Sequence, residues 1–146
     1  MTPRARGLRA LLLDPRGAVA IEFAAIALPF LLLLAGTIEV SRFLWTRHAL
    51  QDSASVGARC LGLGVAPCFD GGAMDRPATV AFVRQQAEAW AIRIPQDAVL
   101  LEAIGDCHGL AEFARVEIQH SFTSVLPLLP DIQIEVEACF PVMRSD

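Results

Sequence analysis

The residues with the greatest chemical potential are four cysteines and a histidine beside one of them, namely Cys60, Cys68, Cys107, His108 and Cys139. Structural zinc sites use short Cys-x-x-Cys pairs, and the sequence contains none. Because Cys107 and His108 are adjacent in sequence, they suit neither two ligands on one face nor a catalytic dyad. We therefore expect no metal and no cofactor. In an exported domain, the same cysteines are expected to form disulfides.

Four cysteines allow three pairings, and their spacing alone does not choose among them. Cys60 and Cys68 flank a loop rich in glycine and proline, which closes easily. In a hairpin formed by the last two predicted strands, Cys139 faces roughly Ala114. Cys107 reaches the same place if the residues after it fold back as a bulge. We therefore favour the pairs 60–68 and 107–139.

The other polar residues form no recognisable catalytic motif. His48 falls on a predicted helix, and His120 falls on the apolar face of a predicted strand, where a histidine is usually packed and hydrogen-bonded. No serine lies in a Gly-x-Ser-x-Gly sequence, and no phosphate-binding glycine loop follows a strand. The sequence therefore predicts that the protein is not an enzyme.

Composition narrows the class of protein further. The chain has 146 residues, and its arginines and acids give a formal net charge of −4. An acidic chain is a poor candidate for nucleic-acid binding through a basic patch. Its mean hydropathy is +0.47, and the apolar excess is concentrated in residues 18–40. This pattern excludes a disordered protein and a multi-span channel, and it predicts one small domain attached to a single apolar segment.

The apolar segment contains an unexpected charge near its start. Ala18–Val40 comprises 23 residues, which span about 34 Å as a helix and are enough to cross a bilayer. Glu22 lies near its start. A carboxylate there costs roughly 2.5–3.5 kcal/mol on insertion scales and usually marks a functional site. A free amine at Ala18 of a neighbouring chain would be a partner for it.

The sequence around this carboxylate resembles a known processing site. Residues 16–23 read Arg-Gly-Ala-Val-Ala-Ile-Glu-Phe, and a leucine-rich stretch with Pro29 follows. This combination resembles type IV pilin-like proteins and, more narrowly, the TadE family of tight-adherence pseudopilins. The resemblance implies cleavage between Gly17 and Ala18 by a prepilin peptidase. It also implies that Glu22 and Phe23 take part in assembly.

Patches elsewhere extend the resemblance to four-cysteine TadE-like proteins, namely Ala58–Cys60, Phe122–Pro127 and Glu137–Pro141. The implied partners are a prepilin peptidase, other pilins or pseudopilins, the pilus assembly platform and the lipid bilayer. No nucleic acid is expected.

Charge distribution predicts the orientation in the membrane. Four arginines, Arg4, Arg6, Arg9 and Arg16, precede the apolar segment, and few follow it immediately. By the positive-inside rule, the N-terminus is cytoplasmic. The predicted organisation is a cytoplasmic leader at 1–17, a transmembrane and assembly helix at 18–40, and a periplasmic or extracellular domain at 41–146. The expected location is the bacterial inner membrane, with possible later incorporation into an extracellular pilus.

Periodicity predicts an α+β fold for the exported part. The helix continues with an apolar face and ends at Gly62 and Gly64, and the stretch 60–77 is a loop. The apolar face comprises Phe43, Leu50, Ala54, Ala58 and Leu61. A second helix follows from Ala78 or Thr79 to Arg93, and Pro95 stops it.

Three antiparallel strands follow, at 98–104, 112–122 and 131–140. Phe122 is expected to lie opposite about Asp131. The whole is a long membrane-spanning helix that continues into a small pilin-like domain, with a second helix and a three-stranded sheet.

These observations favour a structural pseudopilin of a tight-adherence pilus, trimmed after Gly17. The alternative of another class is an unprocessed single-span protein whose exported domain binds a ligand. A secretory signal peptide, cleaved in the small residues 35–37, is a third interpretation of the apolar segment. The three differ in where the mature chain begins.

Overall fold

The structure is a computed structural model that describes residues 16–126 and 130–143. It divides into an N-terminal unit that ends at Val40 and a second unit that begins at Ser41. Most of the predicted leader, residues 1–15, lies outside the described residues, and so does the predicted turn residue Pro127. The predicted α+β architecture is confirmed, and the described residues form two α-helices and a three-stranded antiparallel sheet.

The first helix, α1, comprises Arg16–Leu63 and has 48 residues. It is terminated by Gly64, whose φ of 65° is left-handed. The Val65 amide then donates to the Cys60 carbonyl at 3.4 Å, which is the bond that closes a Schellman cap. The predicted role of Gly64 is therefore confirmed, but Gly62 does not end the helix. A Cβ on Gly62 would lie 2.6 Å from the Phe140 ring, so this glycine permits a close approach of another element.

The predicted apolar face of α1 forms the centre of the core. Leu50, Ala54, Ala58 and Leu61 are completely buried, and Phe43 packs against the edge of the same cluster. Burial of a leucine contributes roughly 1.5–3 kcal/mol, so this face is a main source of the domain's stability.

The segment between α1 and the second helix was predicted to be a loop, but it contains a small hairpin. Strand β1 is Phe69–Asp70, strand β2 is Ala73–Met74, and they pair antiparallel. Gly71 and Gly72 form the turn with φ values of 58° and 85°. Glycine tolerates these left-handed conformations at no steric cost, which explains the pair in the sequence.

The second helix, α2, comprises Arg76–Ala89. The Asp75 side chain caps it by accepting from the Ala78 amide at 2.9 Å, so it begins earlier than predicted. It also ends four residues earlier than the predicted Arg93. The chain reverses at Ala91, with a φ of 62°, and Ile92 returns to the core.

The sheet contains β3 (Val99–Cys107), β4 (Leu110–Phe122) and β5 (Ile132–Pro141), in that order. A short 3₁₀ helix, Gln96–Ala98, precedes it. One face of the sheet, including Val116, Ile118 and Val136, is buried with the helices' apolar residues. β3 is longer than predicted because it runs on to a two-residue turn at 108–109.

The register of β4 against β5 differs by one residue from the prediction. Phe122 lies opposite Ile132, not Asp131, and Cys139 lies opposite Arg115, not Ala114. Directly opposed residues of antiparallel strands point to the same face of a sheet. A buried residue of β4 must therefore face a buried residue of β5, which the observed register achieves.

Candidate assembly helix and disulfide-bonded domain

The first part of α1 carries large apolar side chains on all its sides. Each of those between Val19 and Val40 is 40% exposed or more, and they are Val19, Ile21, Phe23, Ile26, Leu28, Phe30, Leu31, Leu32, Leu33, Leu34, Ile38 and Val40. Among the described residues, α1 is the helix that is long and apolar enough to cross a membrane. A helix that is apolar all round is buried in a protein core or in a membrane. Within the N-terminal unit no core covers it, which favours lipid or neighbouring helices.

Glu22 and Phe23 lie within the first two turns of this helix. Glu22 is exposed, and Phe23 is 72% exposed. Among the side chains that the structure describes, which begin at Val19, none pairs with the Glu22 carboxylate. An unpaired charge is costly in an apolar phase, so a paired state is expected for this carboxylate.

The predicted cleavage site lies at the very start of α1, which begins at Arg16. The bond between Gly17 and Ala18 therefore falls in the first turn. The first four amides of a helix have no intrahelical acceptor, so this turn is the easiest part of the helix to unwind. An enzyme that needs an extended backbone at the cut would meet little resistance here.

The domain contains two cysteine pairs at disulfide distance. Cys60 and Cys68 have a Cα–Cα distance of 5.9 Å, and Cys107 and Cys139 have one of 6.4 Å. These are the pairings that the sequence favoured. The first pair joins the end of α1 to the loop before β1, and so closes the chain over the helix terminus.

The second pair joins strands that are not neighbours, since β4 lies between β3 and β5. Strands two apart in a flat sheet are separated by about 9.5 Å, more than the observed distance between the two Cα atoms. The end of β3 therefore bends over the sheet, and two register shifts at Glu102–Gly105 and Gly105–Cys107 provide the bend. A Cβ on Gly105 would lie 2.5 Å from the Glu102 side chain, so only glycine fits there without displacing it.

A small charged cluster lies beside this second pair. Arg115 Nε is 3.0 Å from Glu102 Oε2, and Arg115 Nη1 is 3.8 Å from Glu137 Oε2. All three side chains are about one-third exposed or more, so each ion pair contributes at most about 1 kcal/mol. His108 Nε2 lies 4.0 Å from Glu137 Oε1.

Cys107, His108 and Glu137 bring potential metal-ligand atoms within 4.8 Å of one another. The Cys107 sulfur, however, is bonded to Cys139. A disulfide sulfur is not a thiolate, and zinc binds the thiolate form. In the oxidised domain this cluster therefore lacks the one strong ligand that its residues suggest.

The two remaining histidines lie apart from this cluster. His48 is exposed on α1, and His120 is half-buried on β4. Burial lowers the pKa of His120 from its usual value because desolvation disfavours the charged imidazolium. This environment agrees with a packed histidine, as the sequence predicted.

Sequence reasoning missed an aromatic cluster in the domain. The rings of Trp45 and Trp90 are 5.2 Å apart, and those of Phe43 and Phe122 are 5.6 Å apart, both edge to face. The Arg42 guanidinium lies 5.4 Å from the centre of the Phe122 ring. The sequence feature that could have indicated this cluster is the position of Trp45, only five residues beyond the predicted span.

Comparison with known proteins gives one match. Residues 17–59 match the family model of the TadE-like proteins, which covers the apolar helix and the predicted assembly residues. Neither the curated proteins nor the solved structures gave a significant match to this chain. The family match confirms the resemblance that residues 16–23 indicate. The N-terminal part of this chain, residues 17–59, is therefore similar to the TadE-like proteins.

Proposed function

We propose that this protein is a structural pseudopilin of a tight-adherence pilus system, made as a precursor and trimmed after Gly17. The family match itself suggests a component associated with the Tad pilus, and components of that kind are structural. The observation that carries the proposal is the exposed apolar surface of residues 19–40 with a single carboxylate, Glu22, in its first turns. A lipid anchor needs that apolar surface but has no use for the carboxylate.

Trimming explains the carboxylate. Cleavage after Gly17 creates a positively charged amine at Ala18, four residues before Glu22. In an assembled fibre, the amine of one subunit pairs with Glu22 of a neighbour, and the pairing offsets part of the cost of burying each charge. This pairing sets the axial position of adjacent helices, while apolar packing supplies most of the contact.

The precursor lies in the bacterial inner membrane with its N-terminus in the cytoplasm. The arginines of the leader precede the apolar segment, which supports this orientation. A domain on the opposite side lies in an oxidising compartment, and the two cysteine pairs at disulfide distance agree with that location. A prepilin peptidase, the assembly platform and other pilins or pseudopilins are the protein partners.

Trimming also changes the charge of the protein. Cleavage of the leader removes four arginines and one aspartate, so the formal net charge of the chain changes from −4 to −7. The mature subunit is therefore more acidic than its precursor.

The mass of the mature chain tests the proposal. The protein is expressed in native membranes with and without the prepilin peptidase, and its intact mass is measured. We expect a species about 1.9 kDa lighter than the full chain, starting at Ala18, only when the peptidase is present. A mature chain that starts at Met1 contradicts trimming and supports the unprocessed anchor with a ligand-binding domain. A chain that starts near Thr37 supports a secretory signal instead.

A further inference from the structure

The folded domain has an exposed apolar surface of its own, which we call the tryptophan patch and which consists of Trp45 and Trp90. Trp45 is 56% exposed, and Trp90 is half-buried. Trp90, at the end of α2, holds the Trp45 ring in an edge-to-face contact. The patch is therefore preformed by two helices of the domain, and it is not one loose side chain.

The patch follows the predicted end of the membrane span closely in the chain. Trp45 comes five residues after Val40, which is about 8 Å at the rise of a helix. The headgroup layer on each side of the hydrocarbon is about 5–8 Å thick. A span that ends at Val40 therefore leaves Trp45 at about the depth of that layer, and the Trp90 ring contacts the Trp45 ring.

We propose that the tryptophan patch docks the domain onto the lipid–water interface of the outer leaflet. Tryptophan prefers this depth because its ring is apolar while its indole N–H can still reach water or headgroups. Arg47 is exposed on the same helix, two residues after Trp45. Its guanidinium group suits lipid phosphates.

The size of the patch favours lipid over a second copy of the chain. An aromatic side chain buries about 150–250 Å², so two partly covered side chains offer at most a few hundred Å². A stable protein interface needs about 800 Å² from each partner. Lipid needs no such minimum, because the span already holds the domain at the membrane.

A second apolar group extends the same end of the domain. Val125 is 71% exposed, and it lies three residues beyond Phe122, which contacts Phe43. Phe43 in turn lies only three residues after Val40. Val125 therefore follows, by three residues, a side chain that packs against α1 two residues before Trp45.

Intrinsic fluorescence can test the proposal because Trp45 and Trp90 are the only tryptophans in the chain. The full chain carrying Trp90→Phe is reconstituted into vesicles of phosphatidylcholine and phosphatidylglycerol. Quenching of Trp45 by a nitroxide lipid labelled near the glycerol backbone is compared with quenching by aqueous iodide.

A matched control places the only tryptophan at the other end of the domain, as Leu110→Trp in a chain with Trp45→Phe and Trp90→Phe. Leu110 is 59% exposed, and it lies twelve residues from Phe122 along β4, or about 40 Å. We expect the ratio of lipid to iodide quenching to be at least about threefold higher for Trp45 than for this control.

The proposal rests on the membrane anchoring that is part of the proposed function, and flotation of the vesicles separates the two. A chain that fails to float with the vesicles overturns both. A chain that floats, but whose Trp45 is quenched by iodide as strongly as the control, overturns the docking alone. The protein-to-lipid ratio is then lowered. If the protection of Trp45 from iodide disappears at low ratio, the patch binds a second copy of the chain, and the docking to lipid is also overturned.

Discussion

The two parts of α1 differ both in apolar content and in their surroundings. Between Val19 and Val40 the large apolar side chains are exposed on all sides, with Leu32 at 61%. Beyond Ser41 the apolar residues that line the core lie on one face, and Leu50 is completely buried, whereas Leu44 and Trp45 stay exposed. The second part packs into the core of the domain, whereas among the described residues of the N-terminal unit no core covers the first part. Apolar periodicity thus separates the self-sufficient half of a helix from the half that binds elsewhere.

The largest expected effect is the loss of processing in Gly17→Leu. A peptidase beside the membrane accepts only a small residue before the cut, so the precursor should accumulate without detectable mature chain. Gly36→Leu is the matched control, because a Cβ on Gly36 meets nothing within 4 Å and the residue is far from the cut. Immunoblotting of native membranes distinguishes the two sizes. Normal trimming of Gly17→Leu would show that the cut lies elsewhere.

Next, Glu22→Ala should abolish assembly while insertion and trimming continue. Removal of a carboxylate makes insertion easier by a few kcal/mol, so failed insertion cannot explain the loss. Glu22→Gln preserves size and hydrogen bonding but not charge, and we expect it to behave like Glu22→Ala. Co-purification with other pilus subunits measures assembly. If both variants assemble normally, the charge has no role in register.

A pair of leucine substitutions tests the difference between the two parts of α1 directly. Leu50→Ala should lower the free energy of unfolding of the domain by about 2–5 kcal/mol, because it leaves a cavity in the core. Leu32→Ala, on the exposed part of the same helix, should change it by less than about 0.5 kcal/mol. Chemical denaturation of the full chain in detergent gives both values. Equal effects would mean that the two parts share one core.

Loss of a disulfide should lower the free energy of unfolding somewhat less than Leu50→Ala does. Cys139→Ser should free the thiol of Cys107 but leave Cys60 and Cys68 oxidised, and it should cost about 2–4 kcal/mol. Cys68→Ser should cost less, because its shorter loop restricts the unfolded chain less. Thiol labelling of denatured, non-reduced protein identifies the free cysteine. Labelling of Cys60 or Cys68 in the Cys139→Ser variant would contradict the pairing.

The smallest effect concerns pH. Burial lowers the pKa of His120 in the folded state, so the unfolded state binds a proton more readily. His120 therefore contributes stability that is fully present above its usual pKa of about 6.5 and is lost as the pH falls through its lower folded-state pKa. A melting-temperature series from pH 7.5 to about pH 5 should show a small decline that His120→Gln removes. An unchanged decline in that variant assigns it to other groups.

Much of this fold follows from local patterns in the sequence. The apolar face of α1, the alternation of β4 and β5, and the Gly64 terminator each depend on residues close together in the chain. The sequence also contained the information to fix the register to an even-numbered pairing, because the buried residues of β4 and β5 all have even numbers. The prediction that Asp131 lies opposite Phe122 overlooked this.

The rest depends on tertiary contacts that no local pattern shows. Trp90 and Ile94 fit helical spacing, but Ala91 adopts a left-handed conformation because Ile92 and Ile94 gain burial when the chain turns. Gly62 is read as a helix terminator in sequence, whereas its role depends on Phe140, 78 residues away. The Trp45–Trp90 contact likewise joins residues from two separate helices.

The contact between Gly62 and the residues after β5 has a consequence for how the domain folds. The Met143 amide donates to the Gly62 carbonyl at 2.9 Å, so the end of α1 is closed by residues that are distant in the chain. Contacts between distant residues cost loop-closure entropy before they contribute stability. The helix can therefore form early, but its terminus is covered only after β5 has joined the sheet. Covering of the helix end thus reports that the whole domain has folded.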